Sequence, residues 1–428
     1  MTSSHPVGWP SVHKTRLDNG IRVLTETMPG VMSATLGIWV ENGSRYETEA
    51  QAGISHYLEH LFFKGTERRT AAQIAEEFDS VGGFFNAFTG KENTCYYAKV
   101  LGEHVPLAQD ILGDIFLSSI FDPEEIERER SVVVQEILQG DDTPDDHVHD
   151  LFNLQYWPNH PLGFPVIGRV ETVESFQRQE FVDFIGERYR PDRLVIAAAG
   201  RVDHEQMVAW VKREFSGLSG KTDPLHWTLP VPGRGIQYVE KPLEQLHICM
   251  GIPGISQASS QRYVAYVLNS ALGGGMSSRL FQEVREKRGR AYSVYSFLSS
   301  YIDAGYLGVY VGTSAEWTEE VIGIVLNELR SVSREGLRHE ELARVKNQLK
   351  GNLLLGLETS DSRMHRIARN EIYYGDEITP EEAAQRIDAV HNDEIVALAG
   401  ELLRPNVIAA TLLGNLEDRQ LDSDLLAL

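Results

Sequence analysis

Short apolar stretches open both halves of this chain in the same way. Residues 20–24 begin the first half and residues 235–239 begin the second, and further apolar stretches follow at 34–40 and 246–252. Short apolar stretches of this kind are typical of β-strands. The two openings are 235 − 20 = 215 residues apart in a chain of 428 residues. The repeat predicts an internal duplication that produces two halves of similar plan.

Longer stretches with helical signals separate the predicted strands. Thr70 precedes a helix in which Gln73 completes a capping box, and Asp122 followed by Pro123 begins a longer helix that ends near Gly140. The pattern predicts helices at 70–81, 103–119, 123–140, 146–156, 171–187, 204–215, 258–272 and 276–285, and strands at 84–89, 94–101, 194–199, 291–299, 304–312 and 407–413. Because strands cluster together and helices occur in runs, we expect an α+β fold with mostly antiparallel sheets packed against helices.

A stretch rich in glycine, serine and proline lies near the middle of the chain. It covers residues 217–235 and has the composition of a linker. The sequence therefore predicts an N-terminal half at 1–216 and a C-terminal half at 236–428.

Composition excludes several classes of protein. The net charge is 40 − 62 = −22, which disfavours nucleic acid as a partner because phosphate binding needs a basic surface. No apolar run approaches 18 residues, so we expect no membrane span. The N-terminal residues lack the features of a secretory signal, and two cysteines are too few for a disulfide framework. These features predict a cytoplasmic protein.

The candidate chemistry begins with two histidines on one predicted helix. His56 and His60 are four residues apart, so both imidazoles can reach one tetrahedral Zn²⁺ from the same helix face. Glu59 shares that face and can reach a water molecule at the metal. The alternative is an exposed helix with three solvated side chains. The apolar residues around the motif favour a buried helix, in which a histidine or glutamate needs a partner.

A catalytic zinc site needs a third protein ligand, and the sequence offers several carboxylates for it. The candidates are Glu76, Glu77, Glu92, Glu127, Glu129 and Glu136. Chemistry favours Glu136, because it lies in an apolar stretch of the long helix where an unpaired carboxylate would be costly. The alternative is that Glu136 pairs with a basic residue such as Arg130.

Several stretches together resemble the pitrilysin/insulinase family of zinc peptidases. They are residues 53–66, 85–89, 129–136 and 273–281, followed by Arg285 and Tyr292. The chain is most similar to the mitochondrial processing peptidase branch and its bacterial relatives, and the resemblance covers essentially the whole length. It implies a bacterial protein with two similar α+β halves.

The resemblance assigns a role to each residue of the motif. It makes His56, His60 and Glu136 the ligands of one Zn²⁺ per chain and Glu59 the general base. It makes Glu129 a second carboxylate of the catalytic machinery, which would orient a ligand histidine. The implied activity is that of a zinc-dependent endopeptidase in which a water molecule activated at the metal hydrolyses unfolded peptides or targeting-like segments.

The same resemblance implies how the substrate is held. Asn86 and Ala87 match the family's substrate-contacting pair, on a strand that the residues alone allow to be either an exposed edge or a plain core strand. Arg285 and Tyr292 match a pair that grips the substrate backbone, and they would act in trans within a homodimer. A heterodimer stays open as an alternative. Two alternatives stay open: a non-catalytic partner or scaffold subunit on the same fold, and a zinc hydrolase of another substrate class.

Overall fold

The computed structural model describes residues 9–221, 228–416 and 423–426. The chain forms two compact units, and each is built from three separate segments. The first unit contains Met1–Ile137, Val166–Trp227 and Leu354–Pro380, and the second contains Leu138–Pro165, Thr228–Leu353 and Glu381–Leu428.

The first unit is built on a six-stranded sheet. Its strands are β1 (Val12–Arg16), β2 (Arg22–Thr27), β3 (Ser33–Val40), β4 (Phe84–Thr89), β5 (Thr94–Leu101) and β6 (Leu194–Gly200), in the spatial order β1-β2-β6-β3-β5-β4. Only the β2–β6 pair is parallel among these described strands. Strand β1 was not predicted, because its sequence Val-His-Lys-Thr-Arg is mostly polar and suits an edge strand.

The second unit repeats this plan with five strands. They are β7 (Gly235–Glu240), β8 (Leu246–Pro253), β9 (Ala291–Ser300), β10 (Gly305–Thr313) and β11 (Ala409–Gly414), in the order β7-β11-β8-β10-β9. Taken in chain order, these strands occupy the same places as β2 to β6, and the parallel pair, β7 with β11, falls at the same position. The prediction of an α+β fold with two similar halves and mostly antiparallel sheets is confirmed.

Most predicted helices are present with small shifts of their ends. The helices are α1 (Ile54–Leu61), α2 (Ala71–Ser80), α3 (Val105–Ser118), α4 (Pro123–Asp141), α5 (Pro144–Tyr156), α6 (Val170–Ser175), α7 (Arg178–Arg188), α8 (His204–Glu214), α9 (Arg262–Gly273), α10 (Thr318–Glu335), α11 (His339–Gly356), α12 (Ser360–Tyr374), α13 (Pro380–Asp388) and α14 (Asn392–Leu402). The helix predicted at 171–187 is divided, because Phe176 is extended and Gln177 caps a new helix with Glu180. The helix predicted at 276–285 is a π-helical turn at Phe281–Glu286.

Two equivalent helices are exchanged between the units. Helix α5 follows β5 of the first sheet in sequence but packs on β8 and β11 of the second sheet. Helix α12 follows β10 of the second sheet but packs on β2, β3 and β6 of the first. The sixth residue of each helix is a histidine that lies against aromatic rings: His149 with Phe297, and His365 with Phe88. This correspondence is a further sign of duplication.

The exchange makes the observed units differ from the predicted continuous halves. Residues 138–165 lie in the predicted N-terminal half (1–216) but belong to the second unit. Residues 354–380 lie in the predicted C-terminal half (236–428) but belong to the first unit. Part of the predicted linker at 217–235 lies outside the described residues. No helix in the described part of the chain is both long and apolar enough to cross a lipid bilayer.

Candidate metal centre

Helix α1, which carries both histidines, begins at a tightly built turn. Gly53 precedes it with φ of 96°, a conformation that favours glycine, and a Cβ there would lie 2.7 Å from the carbonyl oxygen of Ile167. The buried carboxylate of Glu47 accepts the backbone N–H groups of Gly53 and Ser55 at 2.8 and 2.9 Å. It therefore caps the helix N-terminus, where free N–H groups and the helix dipole favour negative charge.

Helix α4 is held against α1 from its first turn. Asp122 accepts the backbone N–H of Glu124 at 2.8 Å, which confirms the predicted start of this helix. The hydroxyl of Tyr57, a fully buried residue, donates to the carbonyl of Ile126. Because residues three or four apart lie on one helix face, this contact brings the next turn of α1, with His60, beside the next turn of α4, with Glu129.

The three predicted ligands converge in the first unit. Nε2 of His56 and Nε2 of His60 lie 3.8 and 3.4 Å from Oε2 of Glu136. One ligand atom from each of the three side chains lies within 4.8 Å of the others. Arg130, the alternative partner of Glu136, instead pairs with Glu127 at 2.8 Å. The structure thus brings together the set that the sequence favoured; that this set binds zinc stays a prediction.

Glu129 is the second carboxylate at this site and holds His60 from behind. Its Oε2 lies 3.1 Å from Nδ1 of His60, and its Oε1 lies 2.6 Å from Nζ of Lys64. Burial raises the pKa of Glu129, but the hydrogen bonds from His60 and Lys64 outweigh it and leave the pKa below the usual value. Glu129 is therefore a carboxylate that accepts a hydrogen bond from the Nδ1–H of His60, so that Nε2, the nitrogen that faces Glu136, is the one able to bind a metal.

The donor set fits a zinc ion. Two imidazole nitrogens and one carboxylate oxygen are the ligands of known catalytic zinc sites, which keep a fourth position open. Burial, with a smaller contribution from His60, lowers the pKa of His56 to about 4, so this imidazole is neutral at pH 7 and able to bind a metal. Burial also lowers the pKa of His60, but its hydrogen bond to Glu129 and the nearby Glu136 outweigh it and leave the pKa raised.

Glu59 lies between the two histidines in sequence and on the same helix. Its carboxylate accepts a hydrogen bond of 2.6 Å from the hydroxyl of Thr89, which lies on β4. Burial raises the pKa of Glu59, and the Thr89 hydrogen bond partly offsets that rise. A half-buried carboxylate with a raised pKa beside a metal-ligand set has the properties of a general base.

The first prediction concerns the role of Glu129. We expect Glu129→Gln to weaken zinc affinity by roughly 10- to 100-fold, because a neutral amide is a poorer acceptor for the Nδ1 proton of His60. Zinc dissociation constants measured by competition with a fluorescent chelator test this. Glu127→Gln, an exposed change on the same helix, is the control. Equal zinc affinity of the Glu129→Gln and wild-type proteins would contradict the assignment.

Strand β4, which carries Thr89, forms the outer edge of the first sheet. Within the described residues it pairs only with β5. Ala87 is buried on the face toward α1, Asn86 is exposed, and Oδ1 of Asn86 accepts the N–H of Ala87 at 2.9 Å. Of the two interpretations of this strand, an exposed edge or a core strand, the structure supports the exposed edge. Whether Asn86 and Ala87 contact substrate stays a prediction.

Arg285 and Tyr292 lie together in the second unit. The Arg285 guanidinium is 4.9 Å from the centroid of the Tyr292 ring and 4.9 Å from that of Phe281. Tyr292 is 77% exposed, and Arg285 forms no ion pair within the described residues. Arg285 is on the π-helical turn at Phe281–Glu286, a feature that occurs frequently at functional sites. This arrangement leaves both groups free to meet a ligand.

Three residues of the site were not recognised from the sequence. They are Glu47, which caps α1, Lys64, which pairs with Glu129, and Thr89, which holds Glu59. Lys64 is only four residues from His60 in sequence, but it lies beyond the end of α1 at Leu61, so helical spacing gave no signal for it. The other two depend on contacts between separate elements, for which the sequence carries no local signal.

Family models and curated relatives match most of the chain. A family model described as Insulinase (Peptidase family M16) matches residues 22–169, and one described as Peptidase M16 inactive domain matches residues 175–349. An uncharacterized zinc protease of Streptomyces coelicolor is 42% identical over 97% of this chain and 92% of its own length. An uncharacterized zinc protease of Bacillus subtilis is 41% identical over 92% of this chain and 96% of its own length.

Solved structures share the fold. A protease from Helicobacter pylori matches with a TM-score of 0.88 at 20% identity, covering 95% of this chain and 100% of its own. A peptidase M16 inactive domain from Pseudomonas fluorescens matches with a TM-score of 0.89 at 18% identity, covering 96% and 100%. His56, His60 and Glu136 all lie within residues 22–169, the range that the insulinase family model matches. The two zinc-protease relatives match more than nine tenths of the chain. This chain therefore belongs to the insulinase family of peptidases, family M16, whose members among its relatives are named zinc proteases.

Proposed function

We propose that this protein is a zinc-dependent endopeptidase that hydrolyses unfolded peptides. The observation that carries the proposal is the convergence of His56, His60 and Glu136, with Glu59 on the same helix as the two histidines. A scaffold subunit has no need of this set, because four polar groups gathered in a half-buried site are costly without a ligand. The names of the bacterial relatives support the same activity.

The residues of the site would divide the chemistry among them. A bound zinc ion would act as a Lewis acid on the scissile carbonyl and lower the pKa of a water molecule. The carboxylate of Glu59 accepts the proton of the attacking water and then donates it to the leaving amine nitrogen. Thr89 orients that carboxylate, and Glu129 keeps His60 in the tautomer that presents Nε2.

The free edge of β4 provides a place for an extended peptide. An added strand bonds mainly through its backbone, so this mode accepts many sequences. The N–H of Ala87 is already held by the Asn86 side chain, and a substrate carbonyl would replace that bond. The edge requires an extended substrate, which is why we infer that unfolded peptides are the substrate class.

The effect of Thr89 on Glu59 gives a prediction about pH. We expect Thr89→Val to lower kcat/KM about tenfold below neutral pH, because losing a hydrogen bond to the charged form raises the pKa of Glu59. A general base must be unprotonated, so the acidic limb of the pH profile should move to higher pH. Profiles of kcat/KM for wild-type and Thr89→Val proteins test this. Thr89→Ser, which keeps the hydroxyl, should behave as wild type, and an unmoved limb in Thr89→Val would contradict the prediction.

Arg285 and Tyr292 suggest how the assembled protein works. Tyr292 is exposed, Arg285 is partly exposed, and neither forms an ion pair within the described residues. We therefore propose that they grip the substrate bound to a second copy of the chain in a homodimer. The test is a mixed dimer of His56→Ala and Arg285→Ala chains. One of its two sites then combines an intact His56 with an intact Arg285, so we expect about half of the activity of the wild-type dimer. Each variant alone should be inactive. A verified mixed dimer with no regained activity would show that the pair does not act in trans.

Metal dependence tests the proposed activity as a whole. Purified protein is assayed on quenched-fluorescence peptides before and after treatment with a chelator, and again after zinc is returned. We expect one zinc per chain, loss of cleavage with the chelator and recovery with zinc. Zinc-loaded protein that cleaves no unfolded peptide would contradict the proposal and favour a scaffold role, and cleavage that resists the chelator would contradict the metal mechanism.

A further inference from the structure

An exposed aromatic side chain lies on the free edge strand beside the candidate metal centre. Phe84, the first residue of β4, is 52% exposed, although fully apolar rings of this size are usually buried. Its ring centroid lies 6.2 Å from that of Tyr97 on β5, which supports it from the side away from the free edge. Leu101, at the end of β5, is 45% exposed.

These three side chains share one face of the sheet. Phe84 is opposite Lys99 in the β4–β5 register, and residues two apart on a strand point the same way, so Tyr97 and Leu101 are on the face of Phe84. Asn86, two residues after Phe84, lies on the same face, opposite to the face through which Ala87 packs toward α1. Lys99 is held in an ion pair of 2.7 Å with Asp361, so its charge is neutralised beside the apolar group. The result is an apolar patch at the outer edge of the sheet.

The register between β4 and α1 sets the distance of this patch from the reacting bond. Thr89 contacts Glu59, and the ring of Phe85 lies 5.2 Å from that of Phe63, so α1 runs opposite to β4. His60 therefore lies level with the middle of the strand, near Ala87. Phe84 is three residues before Ala87, a separation of roughly 10 Å along a strand.

We propose that Phe84, supported by Tyr97, is a specificity-determining residue that selects a large apolar side chain about three residues C-terminal to the cleaved bond. The proposal rests on the proposed endopeptidase function. A peptide that adds to β4 presents every second side chain on the Phe84 face, and directly opposed apolar residues on neighbouring strands stabilise each other. Antiparallel pairing is the more stable arrangement, and it places Phe84 on the C-terminal side of the cleaved bond.

The test uses one peptide series that differs only at this position, with leucine, phenylalanine, alanine or aspartate. Wild-type protein should cleave the leucine and phenylalanine peptides with kcat/KM about five- to tenfold above the alanine peptide. Phe84→Ser should remove this preference, so that the leucine and phenylalanine peptides are cleaved no faster than the alanine peptide. Leu355→Ser, an equally drastic change at a residue that is 69% exposed in the first unit, is the matched control and should keep the preference.

Binding measured without cleavage separates this inference from the proposed function. The same peptides are titrated by fluorescence anisotropy into zinc-loaded Glu59→Gln protein and into the Glu59→Gln/Phe84→Ser double variant. A binding preference for leucine over alanine that depends on Phe84 supports the subsite, even if the wild-type protein cleaves no peptide. Absence of cleavage would contradict only the proposed endopeptidase function. A preference that survives Phe84→Ser, no preference at all, or one on the N-terminal side of the cleaved bond would overturn the proposal.

Discussion

Replacing Glu59 with glutamine is expected to lower kcat for peptide hydrolysis by roughly 10²- to 10⁴-fold, the usual effect of losing a general base. The change removes the atom that accepts the proton of the attacking water but alters neither size nor charge at the three ligand side chains. The proposed metal set, with His56, His60 and Glu136 within 4.8 Å of one another, stays intact. Zinc content should therefore equal that of the wild type, and KM should change far less than kcat.

The control for this experiment is the same change at an exposed position. Glu76 on the neighbouring helix α2 is exposed, so Glu76→Gln should keep full activity. Zinc per chain is measured by elemental analysis, and the fold is checked by circular dichroism. A metal-loaded Glu59→Gln protein with near-wild-type kcat would exclude Glu59 as the base, because the loss of a general base must slow proton transfer from the attacking water.

Replacing Glu136 with glutamine should remove the metal itself. A neutral amide is a weak zinc ligand, and two histidines alone hold zinc poorly, since catalytic sites use three protein ligands. We expect a loss of zinc affinity well beyond the roughly 10- to 100-fold predicted for Glu129→Gln, which changes a residue behind a ligand. After loading with zinc and dialysis against metal-free buffer, the Glu136→Gln protein should contain little zinc and cleave no peptide, whereas the wild-type protein should keep about one zinc per chain.

This outcome must be distinguished from unfolding. The Glu136 side chain is 40% exposed, and its described contacts are with the two histidines, so its replacement should leave the thermal unfolding midpoint of metal-free protein unchanged. Glu124→Gln, in the first turn of the same helix and with a side chain that is 83% exposed, is the matched control and should bind zinc normally. Retention of wild-type zinc affinity by Glu136→Gln would remove this residue from the ligand set.

The elements that could be predicted are those with a strong local signal. Capping residues and apolar runs located α2, α4 and the strands that face a core, because such patterns depend only on neighbours in sequence. Strand β1 was missed, since an edge strand buries little and can be polar. The exchange of α5 and α12 was also missed, because an amphipathic helix carries no mark of which sheet will cover its apolar face.

The candidate site shows the same limit in chemical terms. Spacing alone placed His56, Glu59 and His60 together, because four residues make about one helical turn. Six carboxylates remained as possible third ligands, and an apolar neighbourhood could only favour Glu136 among them. The choice was made by the packing of α4 on α1, which turns Glu136 toward both histidines, puts Glu129 behind His60 and leaves Glu127 paired with Arg130.

The sequence by itself determined most of the secondary structure and the inverted histidine motif, since each follows from residues that are close together along the chain. It also determined the duplicated plan, because the two halves carry the same order of local patterns. Only the tertiary structure decided which carboxylate lies beside the two histidines, the capping of α1 by Glu47, the support of Glu59 by Thr89 and the place of Phe84 on a free edge. The physical reason is distance along the chain. A ligand set of a few ångströms is made from side chains 4 to 80 residues apart, and only the packing of separate elements can bring such groups within bonding range of one another.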